Sequence, residues 1–259
     1  MFEEFKNKVL FVTGAGSGMG RAAAVRLGSM GCRVAVTARR EAAAAQTVQL
    51  IKDAGGEAVF IPCDISDEAS VKAAVEATVN TFGSLDYAFN GAGCGADGVH
   101  IPFSPLTEVT ESDWSRVIDT NLTGLFHCLK YELLQMQKQG SGAIVNVSSI
   151  GGLKMAPAFG AYGPSKAGVL ALTQLAATEN AKAGIRVNAI CPGPTDGTNL
   201  MSDSVAAGAQ DVDMLLQHVI PMAKLGTTTD VTDAAVFLFS EMSGHITGCS
   251  LPVCGGMQM

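Results

Sequence analysis

Short apolar runs alternate with longer amphipathic segments from one end of the chain to the other. The runs are rich in valine, isoleucine and phenylalanine, and between them apolar residues recur at helical spacing. Continuous apolar runs are typical of strands in a parallel sheet, because helices cover both of its faces. The pattern predicts an α/β fold with a single doubly wound parallel sheet of about seven strands and helices on both faces. The predicted strands cover residues 9–12, 33–37, 58–61, 85–89, 143–147, 184–193 and 246–253.

Composition favours one domain over residues 1–259. Of the 259 residues, 47% are hydrophobic, which is enough for one large core. Only 16% are charged, and such a low fraction indicates surface that is buried between subunits. The net charge of −7 argues against nucleic acid and anionic membranes as partners.

The cysteines and the beginning of the chain bear on its compartment. The seven cysteines are odd in number and show no paired metal-ligand spacing, so we expect free thiols in a reducing compartment and no metal site. The first residues form no apolar leader, and no run of about 18 apolar residues predicts a membrane span. We therefore expect a cytoplasmic protein with no membrane partner.

Glycine occupies every second position between Gly14 and Gly20, directly after the first predicted strand. Glycine lets a backbone approach a pyrophosphate closely, and the N-terminus of the helix that follows offers unpaired N–H groups. The candidate phosphate cradle comprises Gly14, Ser17, Gly18, Met19 and Gly20. The alternative is a tight turn that binds nothing.

The end of the second strand bears on the type of dinucleotide. An acid at this point binds a free ribose 2′-hydroxyl, whereas an arginine accommodates a 2′-phosphate. Here Arg39 and Arg40 precede the first acid, Glu41, which predicts NADP in preference to NAD. The alternative is that both arginines merely open the next helix on a solvated face, although cations there oppose the helix dipole.

Two further strand ends are candidates for cofactor contact. Asp64 and Ile65 follow the third strand, where Asp64 either accepts a hydrogen bond from an adenine amino group or caps a helix. Small residues follow the fourth strand at Asn90, Gly91 and Ala92, and such a turn lets the backbone lie against a ligand.

A serine, a tyrosine and a lysine carry the candidate chemistry. Ser149 ends the fifth strand, and Tyr162 and Lys166 lie one turn apart in a predicted helix over 160–183. A phenol is a poor acid at neutral pH, and a nearby ammonium lowers its pKa. We therefore expect Tyr162 to exchange a proton with an alcohol or carbonyl that Ser149 orients.

Asn121 interrupts the apolar stripe of a predicted helix over 112–138, where a locally satisfied amide is the simplest interpretation.

Together these motifs closely resemble the short-chain dehydrogenase/reductase family over nearly the whole chain. The resemblance implies a Rossmann-type fold and hydride transfer between a nicotinamide and a carbonyl or secondary alcohol, with Tyr162 as general acid/base. It also implies that Lys166 reaches the nicotinamide ribose and that Asn121 distorts its helix and holds a water. Gly91 stands where the family usually has a second asparagine. The matching motifs are Thr13-Gly14-x-x-x-Gly18-x-Gly20, Asn90-Gly-Ala-Gly93, Asn121, Ser149 and Tyr162-x-x-x-Lys166.

The resemblance extends into the last third of the chain. The Pro192-Gly193 pair matches a family motif whose following residues hold the nicotinamide carboxamide, which implies that role for Thr195 and Thr198. A substrate lid is implied at about 194–224. A homotetramer is implied through the helices at 112–138 and 160–183.

The substrate predicted from the sequence is a small, largely apolar ketone or alcohol. Three alternatives remain: the same reaction with NAD(H), a dinucleotide sensor without turnover, and an adenosylmethionine-dependent methyltransferase. Neither of the last two needs Ser149, Tyr162 and Lys166 together. The candidate pocket walls are Cys94, Phe103, Met155, Phe159, Leu200 and Met201.

Overall fold

Seven parallel strands form one sheet in the computed structural model, which describes residues 3–94, 104–198, 201–202 and 211–257. The strands are β1 Val9–Thr13, β2 Arg33–Ala38, β3 Glu57–Pro62, β4 Tyr87–Asn90, β5 Gly142–Val147, β6 Ile185–Pro192 and β7 Ser250–Val253. Their order in the sheet, β3-β2-β1-β4-β5-β6-β7, confirms the doubly wound sheet. The winding reverses between β1 and β4, so a crevice opens at the carboxyl ends of these two strands.

Helices connect the strands and cover both faces of the sheet. The described α-helices are α1 Gly18–Ser29, α2 Glu41–Asp53, α3 Glu68–Phe82, α4 Glu111–Ile118, α5 Gly124–Gln139, α6 Ile150–Leu153, α7 Tyr162–Asn180, α8 Val212–Met214 and α9 Thr228–Phe239. A π-helical turn, Asp119–Thr123, separates α4 from α5, and a second one, Leu215–Val219, follows α8. None of the described helices is long and apolar enough to cross a membrane.

The sheet separates two apolar cores. Successive side chains of a strand point to opposite faces, so Leu10 and Val12 pack with α1 and α9, whereas Val9 and Phe11 pack on the other side with α3, α5 and α7. Because both faces of β1 are buried, its sequence is apolar without alternation.

Local signals account for several element ends. Asp67 caps α3 by accepting a hydrogen bond from the Ala69 amide at 3.0 Å, and Gly83 ends that helix with a φ of 88°. Pro164 is the third residue of α7, where no intrahelical N–H bond is lost. The predicted helix over 112–138 is wrong in one respect, since the π-helical turn interrupts it. The last strand is also shorter than predicted and begins at Ser250.

Candidate active site

Three adjoining cavities follow the carboxyl ends of the strands. We call them the nucleotide cavity, the central cavity and the apolar cavity; their volumes are about 30, 80 and 330 Å³. Gly14 and Gly93 line both the nucleotide and the central cavity. Tyr162 and Ser148 line both the central and the apolar cavity. The three cavities therefore form one cleft across the crevice of the sheet.

The glycine turn after β1 packs closely against the turn after β4. Gly14 has a φ of +68°, and a Cβ added to it would lie 2.7 Å from the Ala92 Cα. A Cβ at Gly20 would overlap the carbonyl of Gly14. Space therefore requires glycine at both positions, and at Gly14 the positive φ requires it as well. The turn leads into α1 at Gly18, so the amino end of that helix lies at the central cavity, and this arrangement fits a pyrophosphate.

The nucleotide cavity contains the residues predicted to hold the adenosine end of a dinucleotide. Asp64 Oδ1 accepts hydrogen bonds from the amide of Ser66 at 3.0 Å and from its hydroxyl at 2.7 Å. Asp64 thus stabilises its own turn and also lines the cavity. Cys63 and Thr120 were missed by sequence reasoning, since nothing in their local pattern marks them. The lining consists of Gly14, Ala38, Arg39, Cys63, Asp64, Ile65, Ala92, Gly93 and Thr120.

The central cavity joins the glycine turn to the candidate catalytic residues. Cys94 lines this cavity, whereas it was predicted to lie in the wall of the substrate pocket. Ser148 lines it as well and was missed, although it directly precedes Ser149 at the end of β5. The lining consists of Gly14, Ser17, Gly18, Met19, Gly20, Gly91, Gly93, Cys94, Val147, Ser148, Tyr162, Lys166 and Thr198.

Tyr162 and Ser149 are both buried, and the Ser149 hydroxyl lies close enough to favour the phenolate form of Tyr162. Ser149 is also the N-cap of α6, where its Oγ accepts from the Gly151 amide at 3.0 Å. Burial raises the pKa of Tyr162, and the Ser149 hydroxyl opposes this shift only in part. The expectation of a lowered phenol pKa is therefore wrong for the chain by itself, because desolvation dominates. Tyr162 is protonated at neutral pH, which is the form that donates a proton.

Lys166 lies behind the Tyr162 ring. Its Nζ is 5.9 Å from the ring centroid and donates to the carbonyl of Val147 at 2.9 Å. Burial lowers the pKa of this ammonium to about 8. Ser148 fixes the backbone of the same residue by donating to the Lys166 carbonyl at 2.8 Å.

Asn121 lies in the π-helical turn, so the helix distortion implied by the resemblance is present. Its Oδ1 accepts from the Cys94 amide at 2.8 Å, and its Nδ2 donates to Ser165 Oγ at 3.1 Å. A small internal cavity of about 10 Å³ lies next to it, with Thr13, Asn90 and Lys166 also in its lining. This volume and these polar walls suit about one water molecule.

The apolar cavity opens beside the Tyr162 hydroxyl. Its polar lining residues are Ser148, Ser149, Tyr162, Thr195 and Thr198, and no charged side chain lies among the described lining residues. The remaining wall is largely aliphatic and rich in methionine, which adapts its shape to apolar ligands. That wall includes Met19, Ile150, Ala156, Phe159, Pro192, Gly193, Pro194, Met201, Met214, Leu215, Val219 and Met257.

Apart from Cys94, the predicted pocket walls divide into three groups. Phe159 and Met201 line the apolar cavity. Met155 does not line it; this side chain is half exposed, and its Sδ lies against Gly163 of α7. Phe103 and Leu200 lie outside the described residues. Met257 was missed, since nothing in the local sequence shows that the end of the chain returns to the cleft.

Hydrogen bonds order the segment after β6. Thr195 Oγ1 donates to the Gly193 carbonyl at 2.9 Å, and Thr198 Oγ1 donates to the Thr195 carbonyl at 2.8 Å. These bonds shape the segment that borders the apolar cavity. The described part of the chain holds no group of three or more histidine, cysteine or acidic residues suited to a metal.

The cleft and the sheet define a dinucleotide-binding oxidoreductase, and sequence comparison identifies the family. The model of a family described as "Enoyl-(Acyl carrier protein) reductase" matches residues 14–258. The chain belongs to the short-chain dehydrogenase/reductase family and is an oxidoreductase of that type, whose members use nicotinamide dinucleotides.

Individual relatives cover nearly the whole chain. An uncharacterized oxidoreductase of Thermotoga maritima is 39% identical over 97% of this chain and 98% of its own length. A 3-oxoacyl-[acyl-carrier-protein] reductase FabG of Staphylococcus aureus is 40% identical over 97% and 98%. Among solved structures, NAD⁺-bound xylitol dehydrogenase has a TM-score of 0.91 at 33% identity and covers 98% of this chain and 100% of its own. Levodione reductase has a TM-score of 0.92 at 30% identity over 98% of each chain.

Proposed function

We propose that this protein transfers hydride between NADP(H) and a carbonyl or secondary alcohol, with Tyr162 as general acid/base. The main support is the buried Tyr162 hydroxyl, which interacts with Ser149 and lies on the lining shared by the central and apolar cavities. The test is turnover of a ketone by the wild type and by Tyr162→Phe. A sensor without catalysis would bind the dinucleotide and turn over nothing.

The side chains divide the proton chemistry between them. A bound nicotinamide supplies or accepts the hydride. In reduction, Ser149 holds the substrate oxygen by a hydrogen bond and Tyr162 transfers its proton to that oxygen. The Lys166 ammonium behind the ring stabilises the phenolate that remains. Asn121 holds the backbone of Cys94 beside Lys166, and a water in the small internal cavity is the route by which the proton is replaced.

NADP is proposed over NAD because Arg39 lines the nucleotide cavity and Asp64, the acid beside it, is already bonded to Ser66. The NAD⁺-bound xylitol dehydrogenase supports the alternative assignment. Fluorescence titration with NADPH and NADH discriminates between the two. Tighter binding of NADH would overturn this choice while leaving the reaction type intact.

We propose a neutral, largely apolar ketone or secondary alcohol as substrate. The apolar cavity has its polar groups around Tyr162 and no charge among its described lining residues, so it favours a substrate with one polar end. A panel should compare an apolar cyclic ketone, a keto acid, a polyol and a 3-oxoacyl thioester. If the keto acid or the polyol had the highest kcat/KM of the panel, this substrate class would be contradicted.

We also propose one domain over 1–259, with a lid at about 194–224, and assembly as a homotetramer. Phe126 and Leu134 on α5 and Leu175 on α7 are about half exposed, which supports contact between copies through these helices. Mass measurement in solution tests the assembly. Phe126→Asp together with Leu175→Asp should give smaller species.

A further inference from the structure

Glu132 is a fully buried carboxyl that the proposed mechanism does not use. It lies on the face of α5 that packs on the sheet, and its Oε2 accepts from Asn90 Nδ2 at 2.9 Å. Its Oε1 has no hydrogen-bond partner among the described residues. A buried carboxyl at this position makes the folded state less stable than an apolar side chain of the same size would. Its presence therefore calls for a role other than packing.

The bond from Asn90 belongs to a buried chain of hydrogen bonds. Asn90 Nδ2 also donates to Asn146 Oδ1 at 3.0 Å. On the opposite side, Thr13 Oγ1 donates to Asn90 Oδ1 at 3.5 Å and accepts from the Ala92 amide at 3.3 Å. Glu132 is thus connected, through two side chains, to the backbone of the turn after β4.

The orientation of the Asn90 amide determines whether this chain forms. With its nitrogen toward Glu132, its oxygen is available to Thr13. If the amide turned over, its oxygen would face the acceptors of Glu132 and Asn146. The acceptor at position 132, together with Asn146 Oδ1, therefore favours one of the two orientations.

The turn held in this way borders the central cavity, the nucleotide cavity and the small internal cavity. Gly91 and Gly93 line the central cavity, and Ala92 and Gly93 line the nucleotide cavity. Asn90 itself lines the small internal cavity that also contacts Lys166. We propose that Glu132 is a positioning residue, which orients Asn90 and through it holds the turn after β4 in the shape that binds the dinucleotide. The claim that Glu132 supports dinucleotide binding rests on the proposed function. The claim that Glu132 holds the turn after β4 does not.

Glu132→Met and Glu132→Gln separate positioning from stability. Methionine keeps the bulk and removes the acceptor, so it should weaken NADPH binding about tenfold, the effect of one lost buried hydrogen bond, without lowering Tm. Glutamine keeps an acceptor and should bind NADPH as the wild type does. Met136→Ala, one turn further along α5, is the matched core control and should lower Tm without weakening NADPH binding.

Hydrogen exchange tests the turn independently of any cofactor. In Glu132→Met the Ala92 amide should exchange faster relative to the core amide of Ile144, whereas the Cys94 amide, held by Asn121, should not change. Unchanged Ala92 exchange in Glu132→Met would overturn the proposal. If the Ala92 amide responds but no variant, including the wild type, binds NADPH or NADH, the positioning role stands and the proposed function fails.

Discussion

The Nζ atom of Lys166 lies 5.9 Å from the centroid of the Tyr162 ring, and both side chains are buried. Desolvation moves their pKa values in opposite directions: that of the phenol is raised, and that of the ammonium is lowered to about 8. Each group is thus shifted toward its neutral form. Tyr162 can lose its proton in this site only while Lys166 is charged, because the ammonium stabilises the phenolate.

Tyr162→Phe should lower kcat for ketone reduction by about a thousandfold, because the proton donor is lost while the ring remains. The affinity for NADPH should stay unchanged. Steady-state kinetics and fluorescence titration measure the two effects. Tyr131→Phe, on the outer part of α5, is a matched control and should keep full activity. Wild-type turnover by Tyr162→Phe would show that another group supplies the proton.

The pH dependence of kcat/KM should report the ionisation of Lys166. Its pKa of about 8 predicts that kcat/KM for reduction falls as the pH rises through this value, because the neutral amine no longer stabilises the phenolate. NADPH affinity measured over the same range is the control for loss of cofactor binding. A flat profile up to pH 10 would mean that the ammonium keeps its charge despite burial.

Glu132 should make the folded state less stable as the pH rises. Burial raises the pKa of this carboxyl to about 7, whereas an ordinary glutamic acid has a value near 4.5. Between these values the unfolded chain loses its proton first, so the free energy of unfolding falls with rising pH, by up to about 3 kcal/mol, and then levels off. Urea unfolding at pH 5 and pH 8 measures the difference. Glu132→Gln should reduce this dependence, and an equal dependence in both proteins would assign it to other groups.

Arg39→Ser should weaken NADPH binding about tenfold or more and leave NADH binding nearly unchanged, since the arginine is proposed to contact only the 2′-phosphate. The affinities for both dinucleotides can be measured by fluorescence. Arg26→Ser removes a similar charge that pairs with Asp233 on the surface, and it should alter neither affinity. Equal loss of NADPH and NADH binding in Arg39→Ser would indicate a general effect on the turn after β2.

Met214→Gln should raise KM for an apolar ketone several-fold, because an uncompensated amide would face the apolar cavity. The value of kcat should change less, since Tyr162 and Ser149 are untouched. Met242→Gln is the matched control, because Met242 is 70% exposed and lies outside the described lining of the cavity. An unchanged KM in Met214→Gln would show that this wall does not contact the substrate.

The sequence by itself determined the alternating α/β order, the glycine turn and the one-turn spacing of Tyr162 and Lys166. These are local properties, because strand and helix periods, tight turns and helix caps depend on residues a few positions apart. The parallel sheet follows from them, since helices must cover both faces of such apolar strands.

Only the tertiary structure decided how the site is enclosed. Met257 joins Met19 in one cavity, Glu132 meets Asn90 across the core, and the pKa of Tyr162 rises although the nearby lysine alone predicts a fall. Cavity walls and desolvation are sums over neighbours from distant parts of the chain, and no local pattern contains them. For this reason the sequence predicted which groups carry the chemistry, and the packing set their protonation states and the shape of the space beside them.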